Sequence, residues 1–259
     1  MATQHFNLKE RLADKSQPFL FTWMSIPSVQ LAAQVARLPI EGVCLDMQHG
    51  LIGFSDAVGM IAAINNAGRP AVVRVLWNEP GLLGQCLDAG ATAVIAPMVN
   101  SVAEAQALVK STKYPPLGGR SWGGYTATQA ADMTAADYLA NANKMTQVFA
   151  MIETQAALDV VEDIAAVPGL DGLFVGPSDL SIALSKGAEL NKTSEATLKA
   201  MKRVAAAAAK NNLVAGAFAG TPAIVNTYAA MGYTFMAASV DVDLLQSGAA
   251  QFNKDLKQV

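Results

Sequence analysis

A (β/α)8 barrel is the fold this 259-residue sequence predicts, on three observations. Short apolar or β-branched runs recur every few tens of residues. Segments with apolar residues at three-to-four spacing lie between them. The length is usual for one such barrel, so residues 1–259 read as a single domain. The runs are 19–25, 42–47, 71–76, 93–99, 148–152, 172–175, 214–219 and 235–240. They are near-continuously apolar rather than alternating, the pattern of parallel strands covered on both faces. A doubly wound open sheet is the structural competitor. Eight strands alternating with about eight helices over this length favour closure, although the repeats share no sequence motif.

Each element has its own justification. Residues 1–17 are polar and mixed in charge, without the apolar core of a signal peptide. Helical patterning over 27–38 joins the first run to the second, and over 55–66 the second to the third. A weaker helical segment, 79–89, leads to the fourth run. Ser101 with Glu104 three residues on predicts a capping box at the start of a helix over 101–111. Residues 114–143 are rich in Gly, Pro, Ala and Thr and lack a strand-like core. They follow the fourth strand, where barrel loops carry function; backbone approach to a ligand or neighbouring subunit and a plain long loop are equally compatible with their glycines. A helix over 155–166 follows the fifth run. Ser194 and Thr221-Pro222 open helices over 194–210 and 222–231, and a weaker helix spans 242–256.

Composition narrows the function. Hydrophobic residues make up 52% and charged residues 15%, which supports a large core, excludes disorder, and predicts burial against sister subunits. The net charge is −3 with no basic stripe, against nucleic acid as a partner. No segment reaches the roughly 18 apolar residues of a membrane span. Cys44 and Cys86 sit inside apolar runs without CxxC spacing, as buried thiols of a reducing cytosol do. A soluble, cytoplasmic protein is expected.

Barrel chemistry gathers at the carboxyl ends of strands, and the polar residues there are few. The second run gives Asp46, Gln48 and His49, the third Arg74, the fifth Glu153, and the sixth Gly176-Pro177-Ser178-Asp179. Glu153 abuts an apolar run and needs a partner if ionised, or serves as a first-turn helix charge. Asp179 reads equally as a helix cap. Strands five and six are neighbours in a barrel, so two carboxylates with no nearby Lys suggest a shared proton or a cation between them. Such an all-oxygen pair suits Mg2+ or Mn2+ better than zinc. Of the two histidines, His5 lies in the polar N-terminus. His49 reads either as a hydrogen-bonded structural residue or as the neutral-pH base of the barrel mouth, where the neighbouring Asp46 would raise its basicity. Arg74 either forms a buried ion pair with Asp46 or Asp88, or stabilises negative charge developing on oxygen. With backbone amides at Gly176–Asp179, the set matches enolate chemistry on a 2-oxo acid. No GxSxG elbow occurs and no lysine punctuates a strand run, which disfavours serine hydrolysis and Schiff-base aldol chemistry.

These motifs resemble the class II pyruvate aldolases that include 4-hydroxy-2-oxoheptanedioate, 2-dehydro-3-deoxyglucarate and 2-keto-3-deoxyrhamnonate aldolases. The resemblance covers nearly the whole chain. It is densest in LDMQHG (45–50), VVRVLWNEP (72–80), CLDAGATAVIAPMV (86–99), YPPLGGR (114–120), MIET (151–154), GLDGLFVGPSDLS (169–181) and ASVDVDLL (238–245). It implies that His49 is the general base, Arg74 the enolate stabiliser, and Asp88 a support for the histidine's basicity. It further implies Glu153 and Asp179 as ligands of a divalent metal (Mg2+, with Mn2+ or Co2+ as alternatives). The Ser178 N–H meets the substrate carboxylate beside Gly176 and Pro177. A homo-oligomer is implied too, commonly a hexamer of swapped dimers, with the C-terminal helix a candidate for the swapped element. Two positions depart from the family pattern. Gln48 stands where Glu often precedes the His, and Met151 where a substrate-contacting Gln often precedes the metal Glu. The acceptor aldehyde is therefore open, and Trp122 and Tyr125 in the segment after Arg120 are candidates for shaping its pocket.

The implied reaction is reversible cleavage of a 4-hydroxy-2-oxo acid to pyruvate, or hydroxypyruvate, and an aldehyde through a metal-held enolate. Competing readings are oxaloacetate decarboxylation, a citrate-lyase-like cleavage on the same scaffold, and a non-catalytic oxo-acid-binding barrel.

Overall fold

A strand too apolar to face water on either side has to be covered on both, and a ring of such strands achieves this without exposed edges. The computed structural model, which describes residues 7–256, shows that solution; His5 lies outside the described residues. The strands are β1 (Phe19–Met24), β2 (Gly42–Asp46), β3 (Ala71–Arg74), β4 (Ala93–Ala96), β5 (Gln147–Ile152), β6 (Gly172–Val175), β7 (Val214–Phe218) and β8 (Phe235–Val240). Each pairs in parallel with the next, and β8 closes on β1. Closure excludes the open sheet.

Helix α1 (Leu8–Ala13) precedes β1, and α2 (Val29–Val35), α3 (Phe54–Asn66) and α4 (Pro80–Asp88) alternate with the strands up to β4. Between β4 and β5 come α5 (Val102–Thr112), α6 (Tyr125–Ala130) and α7 (Ala135–Met145). Then follow α8 (Gln155–Asp159), α9 (Val161–Ala165), α10 (Pro177–Leu184), α11 (Glu195–Lys210), α12 (Pro222–Ala229) and α13 (Asp241–Leu256).

Three expectations are revised. The helix over 155–166 is broken at Val160, whose φ of −117° and ψ of 21° interrupt the ladder between α8 and α9. The capping box at Ser101 forms by half. Ser101 Oγ accepts the Glu104 N–H at 3.2 Å, but the Glu104 carboxylate turns to the Asn100 N–H at 2.6 Å. Residues 114–143, without a strand, are largely helical: α6 and α7 bury Ala127, Ala131, Tyr138 and Ala142 against Tyr114 as a small satellite core. Thr134 caps α7 through the Asp137 N–H at 3.1 Å.

The barrel interior is filled by rings that occupy space left by glycines. A Cβ on Gly172 would stand 2.3 Å from Phe149, and one on Gly216 2.7 Å from Phe174. Phe149 stacks on Phe235 at 4.7 Å, and Phe235 packs on Phe21 at 4.5 Å. Along each strand alternate residues point inward. Phe149 and Met151 therefore line the interior while Val148, Ala150 and Ile152 join the outer core under the helices.

The β1–β8 seam is tied by Asp241, buried at the start of α13. Its Oδ2 accepts the Ser25 and Ile26 N–H groups, both at 3.0 Å, and its Oδ1 accepts the Val242 N–H at 2.8 Å. Removing this carboxylate strands the half-buried Ser25 and Ile26 donors, at a cost of about 1–3 kcal/mol each. Asp241→Ala is expected to lower the unfolding free energy by about 3 kcal/mol. In urea titration this appears as a lower midpoint at an unchanged slope.

Candidate active site

The alternation that fills the interior also aims the polar strand ends. Asp46 continues the inward series of Gly42 and Cys44, Arg74 that of Val72, and Glu153 that of Phe149 and Met151. All three are buried.

Asp46 and Arg74 are direct register partners on β2 and β3. The guanidinium forks onto the carboxylate, Nε to Oδ1 at 2.9 Å and Nη2 to Oδ2 at 2.7 Å. Beneath it lies Trp23 of β1, with the guanidinium carbon 4.8 Å from the ring. Burial alone raises the Asp46 carboxyl, but the Arg74 hydrogen bonds and charge outweigh it, and the group ends below its ordinary value. Of the two roles open to Arg74, the ion pair is with Asp46, not Asp88. Arg74 Nη1 has no hydrogen-bond partner among the described residues.

Asp46 does not reach the imidazole of His49. Its Oδ1 instead accepts the backbone N–H groups of Gln48, at 3.1 Å, and His49, at 3.3 Å. The carboxylate thus fixes the loop that carries His49. The His49 side chain is exposed and bonds to no described residue. Gly50 closes the turn; a Cβ there would stand 2.3 Å from the Asp46 carbonyl oxygen. Gln48 Oε1 is buried without a partner.

Glu153 is 2% exposed and has no cationic partner among the described residues. Burial pushes its carboxyl up to about 7; the Asp179 charge adds to the rise, while the Met98 N–H and the Arg74 charge oppose it. Met98 donates to Glu153 Oε2 at 3.0 Å from a left-handed backbone, with φ of 57°. A non-glycine residue so held costs about 1–3 kcal/mol and persists only where its surroundings fix it. Asn100 Nδ2 holds the Met98 carbonyl at 2.9 Å, and Thr154 Oγ1 holds Asn100 Oδ1.

Gly176 caps α10 and Pro177 is its first residue, which puts Asp179 in the first turn rather than at the cap. The Ser178 and Asp179 N–H groups are among the first-turn donors that a helix leaves unpaired. A Cβ on Gly176 would lie 2.4 Å from Glu153 Oε1 and 2.7 Å from Met151 Cε, so only glycine fits against the carboxylate. Met151 is buried, its methyl filling the space beneath.

Asp88 stands apart. It ends α4 and accepts Arg120 Nη2 at 2.5 Å, with Gly123 against its carboxylate. Within one chain it is not brought to His49. Arg120 lies over the Tyr114 ring at 4.7 Å, and Tyr114 packs on Trp122. Tyr125 is exposed. The residues 114–130 therefore anchor on Asp88 through a buried arginine, a partnership that sequence separation hides.

Sequence reasoning also missed Trp23, Met98 and Asn100. Trp23 has the inward parity of β1, a usable signal; nothing in the sequence reports the φ of Met98.

No three His, Cys, Asp or Glu side chains gather as a metal cage among the described residues. A divalent ion here would take Glu153 and Asp179 and leave its other positions to water or substrate. A buried carboxylate without a cation, with a second acid in its field, fits a hard ion of that kind. The buried Lys113 lies at the opposite face, bonded to Asp171 at 2.6 Å and the Thr146 carbonyl at 2.7 Å, ahead of β5 and β6. No described helix is long and apolar enough to cross a membrane.

Residues 20–247 match the sequence family described as HpcH/HpaI aldolase/citrate lyase. The chain is 34% identical over 244 residues to a hydroxypyruvate/pyruvate aldolase of Rhizorhabdus wittichii, spanning 94% of this chain and 96% of that one. It is 35% identical over 241 residues to a 2-dehydro-3,6-dideoxy-6-sulfogluconate aldolase of Pseudomonas putida, spanning 92% of each. It superposes on the crystal structure of an HpcH/HpaI aldolase/citrate lyase family protein from Burkholderia cenocepacia with a TM-score of 0.87. The identity there is 33%, over 97% of this chain and 100% of that one. Eight parallel strands closed into a barrel, the acid–arginine mouth and these matches agree: the chain belongs to the HpcH/HpaI aldolase/citrate lyase family and is an aldolase-type carbon–carbon lyase.

Proposed function

We propose that the protein reversibly cleaves a 4-hydroxy-2-oxo acid to pyruvate, or hydroxypyruvate, and an aldehyde. It would use a divalent cation, Mg2+ before Mn2+ or Co2+, held by Glu153 and Asp179. The observation that carries this reading is Glu153. It is a buried acid raised to about 7, beside a second carboxylate, in the same layer as a cation already committed to another acid. The aldolase relatives, one acting on hydroxypyruvate and pyruvate by name, support the substrate class.

A bound divalent ion supplies Lewis-acid polarisation of the 2-oxo group. The chain's own residues do the rest. The first-turn N–H groups of Ser178 and Asp179 bind the C1 carboxylate at the positive end of α10, beside Gly176 and Pro177. In cleavage, His49 takes the proton of the C4 hydroxyl and the C3–C4 bond breaks. The aldehyde carbonyl forms and the electron pair passes to the C2 oxygen as an enolate. Arg74 Nη1, its sister nitrogens pinned by Asp46, stabilises that oxygen. A proton returned to C3 completes pyruvate. Asp88, by holding Arg120, supports the segment that carries Trp122 and Tyr125. A cytoplasmic homo-oligomer, a hexamer or trimer of dimers, belongs to the same reading. Leu245, Phe252 and Leu256 on α13 are 55%, 65% and 56% exposed, an apolar face suited to a second subunit, with the C-terminal helix as the element exchanged.

Three outcomes follow. The protein should exchange the methyl hydrogens of pyruvate for deuterium, read by proton NMR. EDTA should stop the exchange, Mg2+, Mn2+ or Co2+ should restore it, and His49→Ala should slow it at least about 100-fold. Full exchange in excess EDTA would remove the metal.

The second concerns pH. With Glu153 raised from 4.5 to about 7, the folded metal-free chain holds a proton that the unfolded chain has released between those values. Stability in EDTA therefore falls as pH rises through that window, by on the order of 3 kcal/mol from this group. Glu153→Gln should lose that fall and be the more stable protein at pH 8, measured by urea unfolding against the wild type.

The third is Gly176→Ala. Its Cβ pushes on Glu153 and Met151. Calorimetry is expected to show metal affinity weakened by about 10- to 100-fold with the circular dichroism spectrum unchanged.

A further inference from the structure

Lys192 is a cation at the mouth that the residues described so far leave without a task. It lies on the 185–194 segment between α10 and α11 and is half-buried. Its Nζ sits 4.8 Å above the ring of Phe218, the last residue of β7. Phe218 meets Trp23 edge-on at 5.4 Å and 89°, and Trp23 carries the Arg74 guanidinium. An unbroken aromatic floor thus links Arg74 on the β3 side to Lys192 on the β7 side.

Three hydrogen bonds hold the backbone that presents this lysine. The Tyr228 hydroxyl donates to the Lys192 carbonyl at 2.9 Å, from a side chain fully buried on α12. The Thr197 hydroxyl donates to the Asn191 carbonyl at 3.1 Å, and the Asn191 N–H donates to Ser181 Oγ at 3.1 Å. The Nζ itself forms no hydrogen bond or ion pair with any described residue. Asp243, on the first turn of α13, is the one carboxylate whose charge acts on it appreciably, and burial shifts the ammonium below its ordinary value. A partly desolvated ammonium, fixed in place over an aromatic ring with its donors unused, is arranged to meet an anion.

We infer that Lys192 selects the aldehyde half of the substrate by binding an oxyanion at the end remote from the reacting carbonyl, a carboxylate or a phosphate. The inference rests on the enolate reading above. Arg74 serves the 2-oxo acid half from the β3 end of the floor, and the α10 amides serve it from the end of β6. Lys192 lies at the β7 end, across Trp23 and Phe218 from Arg74.

The test is a ratio. Aldol addition of pyruvate is measured with two matched acceptor pairs: succinic semialdehyde against butanal, and glyceraldehyde 3-phosphate against glyceraldehyde. The wild type is expected to favour at least one anionic member by about 10-fold or more in kcat/KM. Lys192→Met keeps the apolar stem over Phe218 and should collapse that preference through KM. Lys192→Arg should retain most of it, and Lys192→Glu should invert it. Because each variant is compared with itself on two acceptors, a general loss of activity cancels. The pair that responds distinguishes a carboxylate from a phosphate. A preference unchanged in Lys192→Met, or a wild type indifferent to acceptor charge in both pairs, overturns the assignment. A wild type that exchanges no methyl hydrogen of pyruvate overturns the enolate reading, and the assignment falls with it. Exchange with no charge preference overturns Lys192 alone.

Discussion

A guanidinium buried at the end of an apolar strand would cost several kcal/mol without an anion, and so would a carboxylate on the neighbouring strand. Asp46 and Arg74 answer each other across the β2–β3 register, with two parallel hydrogen bonds and the Trp23 ring as a floor. Slipping β3 by one residue would turn Arg74 into the outer core and leave Asp46 uncompensated, so the pair also enforces the pairing that makes it. Asp46 does more than neutralise. Its Oδ1 also receives the Gln48 and His49 N–H groups, so one carboxylate sets both the cation and the loop bearing His49. Removing either partner of such a pair leaves a buried charge, and removing Asp46 also frees the backbone that presents His49.

The second acid of the layer has the opposite electrostatics. Asp46 is held below its ordinary value by a committed arginine, whereas Glu153, equally buried, is driven up. Two carboxylates pushed apart in this way have divided labour: one is structural ballast for a cation, the other is left asking for positive charge. The backbone makes the same statement. Met98 accepts a strained conformation to place its N–H on Glu153, and Gly176 gives up a side chain to let the carboxylate approach α10. A strained donor and a glycine pressed on the carboxylate itself gather at Glu153, whereas the glycine close to Asp46, Gly50, meets its backbone oxygen.

Most of the barrel was legible because strand burial is a local property of composition. The eight apolar runs became β1 to β8 with ends shifted by a few residues, and the rule that barrel chemistry gathers at strand ends picked out Asp46, Arg74 and Glu153. What escaped depends on tertiary partners. Asp88 carries the motif of a support for His49, and nothing in that motif announces its bond within the chain to Arg120, thirty-two positions away. Asp46 was readable as an aid to the imidazole, but its lone pairs go to the Arg74 guanidinium and to backbone amides. The helices α6 and α7 were hidden because their stretch is rich in glycine and alanine. Their buried face is a small satellite core around Tyr114 and Tyr138, not the main one.

The two halves of the site differ in how they are built, and this bears on specificity. The oxo-acid half is made of strand ends and one helix start, whose positions follow from barrel closure and admit little change. The acceptor half is made of what surrounds them. At the strand ends themselves, Met151 presents a methyl group packed toward Gly176, and the Gln48 side-chain amide oxygen is buried without a partner among the described residues. Neither side chain carries a charge that could sort one aldehyde from another. Under the proposed reaction, discrimination by charge falls to groups farther out, on segments that the barrel does not dictate. Lys192 stands on such a segment, pinned by Tyr228 and Ser181 and facing the aromatic floor from the side opposite Arg74. Since that loop lies outside the strands, its cation can be altered without disturbing the layer on which enolate chemistry depends.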